Sequence, residues 1–318
     1  MTTPDVVTFG ETMAALRSTG PLRMGGSLAL SVAGAESNVA IGLARLGHGA
    51  AWIGRVGDDE LGALAVRTLR AENVDVSGVV IDRGRPTGII LFERRLGDVT
   101  RVQYYRSGSA GSSLDVADLP PVLAPESGQG ILHVTGITPA LGATAAHAAI
   151  VGAERARESG RLVSFDVNYR ARLWSAADAR AALRPLTPMA GLVFASEPEL
   201  ALLAASRSAS AAATADELLS RGVQVVVVKR GARGSTAHTA DGTISVPARA
   251  VRAVDVIGAG DAFVSGYLSG VLDGLDVAGC LRRGATVSAF AVASTGDWEG
   301  LPTRPELDML DAEEEAIR

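Results

Sequence analysis

The chain has 318 residues, of which 47% are apolar and 37 are glycine, and its net charge is −5 at pH 7. That length allows one large domain or two small ones, and the composition points to a globular α/β chain rather than an all-helical one. The negative balance leaves no basic field to hold nucleic acid or an anionic membrane, and no apolar run is long enough to span a bilayer.

The lone Cys280 cannot close an internal disulfide. It suits a reducing, cytoplasmic setting. The polar start Met1-Thr2-Thr3-Pro4 lacks a basic region ahead of a long apolar run, so no signal peptide is expected. His48, His133, His147 and His238 are scattered, with no metal-ligand spacing between any pair. Lys229 is the one lysine among 30 basic residues.

Along the chain, strand and helix patterns alternate. Val6–Phe9 reads as a strand ending at Gly10. Ser37–Leu46 reads as an amphipathic helix stopped by Gly47. Ala51–Val56 is a predicted strand and Leu61–Glu72 a predicted helix. Gly88–Glu93 and Arg101–Arg106 read as paired strands around the turn Gly97-Asp98. Further strands are predicted at Ile131–Val134, Leu162–Asp166, Leu192–Ala195 and Val223–Lys229. Helices are predicted at Ala143–Ser159, Ala176–Leu186, Glu197–Ala205 and Ala211–Arg221, with Ser206–Thr214 a Ser/Ala-rich loop running into the last. Short apolar strands separated by helices imply a mostly parallel sheet covered on both faces. Segments 12–32 and 86–110 break the rhythm and are read as strands outside the main sheet, forming a lid on one domain.

The most informative stretch is Asp255-Val-Ile-Gly-Ala-Gly-Asp-Ala-Phe263. A small-residue turn, Gly258-Ala259-Gly260, opens an apolar helical pattern. Amides at a helix start lack intrahelical acceptors and have the positive end of the helix dipole behind them, which suits a phosphate or a developing oxyanion. An acid there, Asp261, makes sense as the base that takes a proton from a hydroxyl attacking phosphorus. The plain alternative is an Asp capping a helix behind a tight turn.

Ligands of open α/β sheets sit at the carboxyl ends of the strands, and several polar residues fall there. Asp166, Asn168 and Arg170 follow one strand, Ser196 and Glu199 the next, and Lys229, Arg230, Gly231 and Gly234 another. Gly34, Glu36 and Asn38 precede the first long helix. No Gly-x-x-x-x-Gly-Lys-Ser/Thr occurs, and no Gly-x-Gly-x-x-Gly follows the first strand. P-loop ATPases and ordinary dinucleotide-dependent dehydrogenases are therefore disfavoured.

Two separated signatures make the chain resemble the ribokinase-like (PfkB) sugar kinases. One is Ala33-Gly34-Ala35-Glu36-Ser37-Asn38-Val39-Ala40 running on to Gly47, and the other is Asp255 with Gly258-Ala259-Gly260-Asp261. Gly54-Arg55-Val56-Gly57-Asp58-Asp59 between them is also typical. Within the family the chain most resembles 2-keto-3-deoxygluconate kinases, through Tyr104-Tyr105-Arg106, Gly136-Ile137-Thr138-Pro139-Ala140-Leu141 and Asp166-Val167-Asn168-Tyr169-Arg170 with Leu173-Trp174.

The resemblance implies a three-layer ribokinase-like fold with a mostly parallel central sheet and a small β-strand lid. It implies an ATP- and Mg²⁺-dependent kinase acting on a primary hydroxyl, and leaves open whether a monovalent cation is a further cofactor. Asp261 would be the base, and the Gly258, Ala259, Gly260 and Asp261 amides the anion hole. Gly34, Asn38 and Tyr104 would touch the sugar, and Arg106 and Arg170 its carboxylate, as arginine suits planar bidentate recognition. Ser196, Lys229, Gly231, Gly234, Gly258 and Gly260 would line the nucleotide, and Glu199 would organise Mg²⁺ through water. The alternatives are another sugar, such as fructose, ribose or a related acid, or an inactive sugar-binding relative.

Departures from the family pattern concern the substrate. Ala33 replaces a common glycine, Ile90 a lid tyrosine, Val256-Ile257 a threonine pair and Ser196 an asparagine. The exposed strand edges of a lid suggest a homo-oligomer that covers them.

Overall fold

The apolar strands and the helices between them stack in sequence order. The elements are β1 (Val6–Phe9), β2 (Met13–Ser18), β3 (Leu28–Ala33), α1 (Ala35–Arg45), β4 (Ala50–Ile53), β5 (Arg55–Gly57), α2 (Glu60–Ala71), β6 (Val80–Asp82), β7 (Ile89–Leu96) and β8 (Val99–Tyr105). There follow β9 (Ile131–Thr135), α3 (Ala143–Glu158), β10 (Leu162–Asp166), α4 (Ala176–Leu183), β11 (Leu192–Ser196), α5 (Glu197–Leu200), α6 (Ala211–Ser220), β12 (Val225–Lys229), β13 (Ser235–Thr239), β14 (Gly242–Val246), α7 (Ala259–Leu272) and α8 (Val277–Val292). This computed structural model describes residues 3–96, 99–119, 123, 130–205 and 210–310. The expected turn at Gly97-Asp98 and the start of the 206–214 loop lie outside them.

The large sheet has the order β14-β13-β12-β11-β10-β9-β1-β4. It is parallel from β12 to β4, and β13 and β14 add an antiparallel edge. Side chains alternate across a strand, so each strand feeds two cores. Val226 and Val228 join Val7, Phe9, Leu132, Val134 and Phe165 under α3, α4 and α6. Val227 joins Ile131, Leu192 and Phe194 under α1, α2, α7 and α8. Runs apolar on both faces are what a parallel sheet needs between two helical layers.

A smaller sheet, β3-β2-β7-β8, stands apart. One of its faces is apolar: Met13, Ala15, Ala33, Ile90 and Phe92 are buried together, with Val102, Tyr104 and Ile257 packed against them. β5 and β6 form a separate parallel pair.

Three elements differ from expectation. Ala51–Val56 is not one strand. It breaks at Gly54, where a side chain would come within 2.6 Å of the Gly10 carbonyl oxygen, and the chain leaves the large sheet for β6. The helix from Glu197 stops at Leu200: Ala201 O accepts from Arg180 at 3.1 Å, and the Ala205 amide that would have reached it donates to Glu217 Oε2 at 2.9 Å. The 176–186 helix tightens into a 3₁₀ segment from Arg184. The β13–β14 hairpin and α8 were not anticipated. The Gly47 stop is as expected: φ is +86°, and His48 N donates to Leu43 O at 3.1 Å. Among the described residues, no helix is long and apolar enough to cross a membrane.

Candidate active site

Parallel register brings the carboxyl ends of the central strands side by side. Asp166 pairs with Thr135, and Ser196 with Lys229. At this edge lies a cavity of about 440 Å³ that also reaches the smaller sheet and the start of α7. A second cavity, of about 400 Å³, adjoins it and shares Lys229, Val256 and Gly260.

The glycine turn builds the junction. Gly258 caps α7 in the left-handed region, φ +75°, and a side chain on it would overlap the Asp297 carbonyl oxygen. Both facts call for glycine. Ala262 N takes the Gly258 carbonyl at 2.9 Å, the first full helical bond. The amides of Gly260 and Asp261 have no acceptor among the described residues. They are free for an anion.

Asp261 is buried beside them. Asn38 Nδ2 donates to its Oδ2 at 2.9 Å, and Asn168 Nδ2 to its Oδ1 at 3.2 Å. Asn168 sits at φ +39°, an uncommon conformation that asparagine tolerates and that occurs at functional sites. Burial pushes the Asp261 carboxyl above its ordinary range, while Asn38, the charges of Arg170 and Lys229, and Asn168 oppose the rise. The Asn38 amide orientation follows from its carboxylate partner. Its Oδ1 is then left buried with no donor among the described residues, so it can accept a hydrogen bond from a ligand hydroxyl.

Lys229 Nζ donates to both oxygens of Asp166, at 2.8 and 2.7 Å. Burial pushes Asp166 up to about 6 against the pull of Lys229. The lysine itself is held above its usual range, because Asp166, Glu199 and Asp261 together outweigh its desolvation. Glu199 closes a capping box at the short α5. Its Oε2 accepts from Ser196 N at 2.7 Å and Ser196 Oγ at 2.9 Å, and its Oε1 from Tyr169 N at 2.9 Å.

Most residues singled out from the sequence line one or both cavities; Glu36, buried against Thr135 and Thr138, Asp166, held by Lys229, and Arg230, paired with Glu197, line neither. Gly34, Asn38, Tyr104, Arg106, Arg170, Ser196, Glu199, Gly258 and Asp261 line the first. Gly231, Gly234 and Ala259 line the second, and Lys229 and Gly260 line both. Arg106 is not free, however. It is buried against Glu11, with Nε 2.6 Å from Oε2, so much of its charge is already neutralised. Arg170 has no salt-bridge partner among the described residues and carries the cavity's uncommitted positive charge.

Sequence reasoning missed Glu11, Met13, Phe92 and Asp297 as cavity residues, and the apolar lining of the second cavity by Val251, Phe263 and Val292. Nothing local marks them.

A carboxylate fixed by two amides, beside unbonded helix-start amides and between two cavities, is suited to moving a phosphoryl group onto a hydroxyl. The sequence matches the model of the pfkB family carbohydrate kinases over residues 3–304, and the chain belongs to that family.

It is 38% identical over 311 residues to the 2-dehydro-3-deoxygluconokinase of Bacillus subtilis (strain 168), spanning 95% of this chain and 94% of that one. The crystal structure of a PfkB protein from Polaromonas sp. JS666 is similar with a TM-score of 0.85 at 37% identity, over 96% of this chain and 99% of the other. A fructokinase from Xylella fastidiosa with bound ATP gives 0.85 at 26% identity, over 96% and 98%.

Proposed function

We propose that the protein is an ATP-dependent kinase for 2-keto-3-deoxygluconate (the same compound as 2-dehydro-3-deoxygluconate), transferring the γ-phosphoryl group to the primary hydroxyl to give the 6-phosphate. The placement of Asp261 carries this reading: a buried carboxylate beside two unbonded amides, where the two cavities meet. Asp261 takes the hydroxyl proton, the Gly258–Asp261 turn steadies the transferring group, and Gly34 and Asn38 hold the sugar. The second cavity, lined by Gly231 and Gly234 and by the apolar Phe263 and Val292, takes the nucleotide.

Mg²⁺ fits the donor set. The Glu199 carboxylate lines the cavity and retains acceptor capacity beyond its capping bonds, enough to hold the ion through water. The ion would offset phosphate charge. The smaller sheet acts as a lid over the sugar end, with Tyr104 and Arg106 on it and Arg170 opposite.

The test is ADP release with ATP and Mg²⁺, comparing 2-keto-3-deoxygluconate with fructose, ribose and gluconate. A charge-assisted pair of hydrogen bonds contributes about 1.5–3 kcal/mol, so the keto-deoxy acid should lead in kcat/KM by roughly 10- to 100-fold. Arg170→Met should erase most of that lead, with a smaller loss for a neutral sugar, because Arg170 also holds the Asp261 carboxyl down. A neutral sugar winning in the wild type would overturn the substrate.

We also infer that two copies pair through the smaller sheet. β3 is its edge strand and exposes Leu28 and Leu30, with relative accessibilities of 41% and 52%. Unpaired, apolar edges are usually covered. Sedimentation should show a dimer that Leu30→Asp shifts to monomer. A wild-type monomer at micromolar concentration would refute it.

A further inference from the structure

One arginine ties the smaller sheet to the glycine turn. Arg17 leaves β2 and places its guanidinium 4.0 Å from the centre of the Phe92 ring. Nη2 forms an ion pair with the Asp297 carboxylate, and Nη1 lies 3.4 Å from Asp255 Oδ2. Both acids belong to segments that shape the anion hole. Asp255 Oδ1 accepts from Ile257 N at 3.0 Å, on the residue just before Gly258. The Asp297 carbonyl is the group packed against Gly258.

Around this clasp the contacts continue. Ile257 packs into the apolar cluster of the smaller sheet. Trp298 Nε1 donates to Val32 O at 3.0 Å, and Ser31 Oγ to Glu299 Oε1 at 2.5 Å. Arg17 itself lines neither cavity, so its effect on a ligand must be indirect.

We propose that Arg17 is a positioning residue: by bridging Asp255 on one side of the Gly258–Asp261 turn and Asp297 on the other, it aligns the anion hole when the smaller sheet covers the sugar. This rests on the kinase reading above. Two loops held by a single fork-shaped cation are held in one relative position, and lysine, a single point charge, cannot reproduce that. The arrangement makes transfer depend on coverage, which keeps water from accepting the phosphoryl group.

The experiment compares wild type with Arg17→Met, Arg17→Lys, Asp297→Asn and the Arg17→Met/Asp297→Asn double variant. Misplacing catalytic groups by about 1 Å costs on the order of 10²-fold. Arg17→Met is therefore expected to lower kcat by roughly 10- to 100-fold, with the ATP KM changed less than about twofold. Arg17→Lys should recover only part of the loss. ADP formed should exceed sugar phosphate formed in Arg17→Met and match it in wild type. The double variant should be no slower than the worse single one, because the two side chains act as a unit.

A kcat within twofold of wild type in Arg17→Met, or single effects that multiply in the double variant, would overturn the proposal. If Arg17→Met does not fold, the nearly isosteric Asp297→Asn decides by the same kcat and ADP-excess criteria. The kinase reading fails separately, if wild type releases no ADP in response to any sugar. The clasp then remains readable, since a double-variant cycle on unfolding without ligands should show Arg17 and Asp297 coupled, and independence would refute it.

Discussion

Asp261→Asn is expected to lower kcat by roughly 10²- to 10⁴-fold, the usual contribution of a positioned general base. The variant keeps the shape of the side chain and one carbonyl to accept from Asn38 or Asn168. It loses the ability to take a proton. Sugar and nucleotide should still raise the melting temperature, because binding to the folded state stabilises it whether or not chemistry follows. The pH profile provides the second readout. Burial raises the Asp261 carboxyl above the ordinary carboxylate range, and only the ionised form is a base. Wild-type kcat/KM should therefore fall as pH drops through that raised value, and the variant should lack this limb. A variant with more than a tenth of wild-type kcat, or with the same acid limb, would remove Asp261 from the proposed role.

Lys229→Met should produce the largest loss of stability. Among the described residues its ammonium is the sole side-chain partner of the Asp166 carboxylate, which is 1% exposed. Breaking a buried pair from one side costs about 3–5 kcal/mol, since the other charge is left without compensation. For a chain of this size that corresponds to a melting temperature lower by roughly 10 °C.

The sign of the pH dependence follows from Asp166, already raised from 3.8 to about 6 with its lysine present. A folded acid with a raised pKa holds its proton where the unfolded one has lost it, so stability falls as pH rises through the interval between the two values. Without Lys229 that interval extends upward. The variant's deficit should be small near pH 4 and widen above pH 6. Asp166→Asn in the Lys229→Met background should recover much of the loss. Thermal unfolding across pH checks all three statements, and a deficit independent of pH would contradict them. The ATP KM should also rise, because the lost charge lines both cavities.

These expectations trace back to features of two kinds. Strand-helix alternation, the Gly47 stop and the glycine turn before Asp261 are local. They arise from side-chain periods of two and 3.6 residues and from backbone conformations that glycine reaches cheaply. Errors came where local pattern met distant atoms. Ala51–Val56 looks like one strand until Gly54 passes the Gly10 carbonyl. The helix from Glu197 looks longer until Arg180 takes the Ala201 carbonyl and Glu217 the Ala205 amide.

The sequence by itself determined the layered α/β class, the family and the polar strand-end and glycine-turn residues that gather at the site. Only the tertiary structure decided who holds whom. Asn38 reaches Asp261 across 223 positions, Arg17 reaches Asp297 across 280, and Arg106 spends its charge on Glu11, 95 positions away. Such pairings depend on strand order and on which face each element turns inward. Neither is written in the spacing of neighbours along a chain, because burial and charge compensation are settled between surfaces that meet only after the sheets have formed.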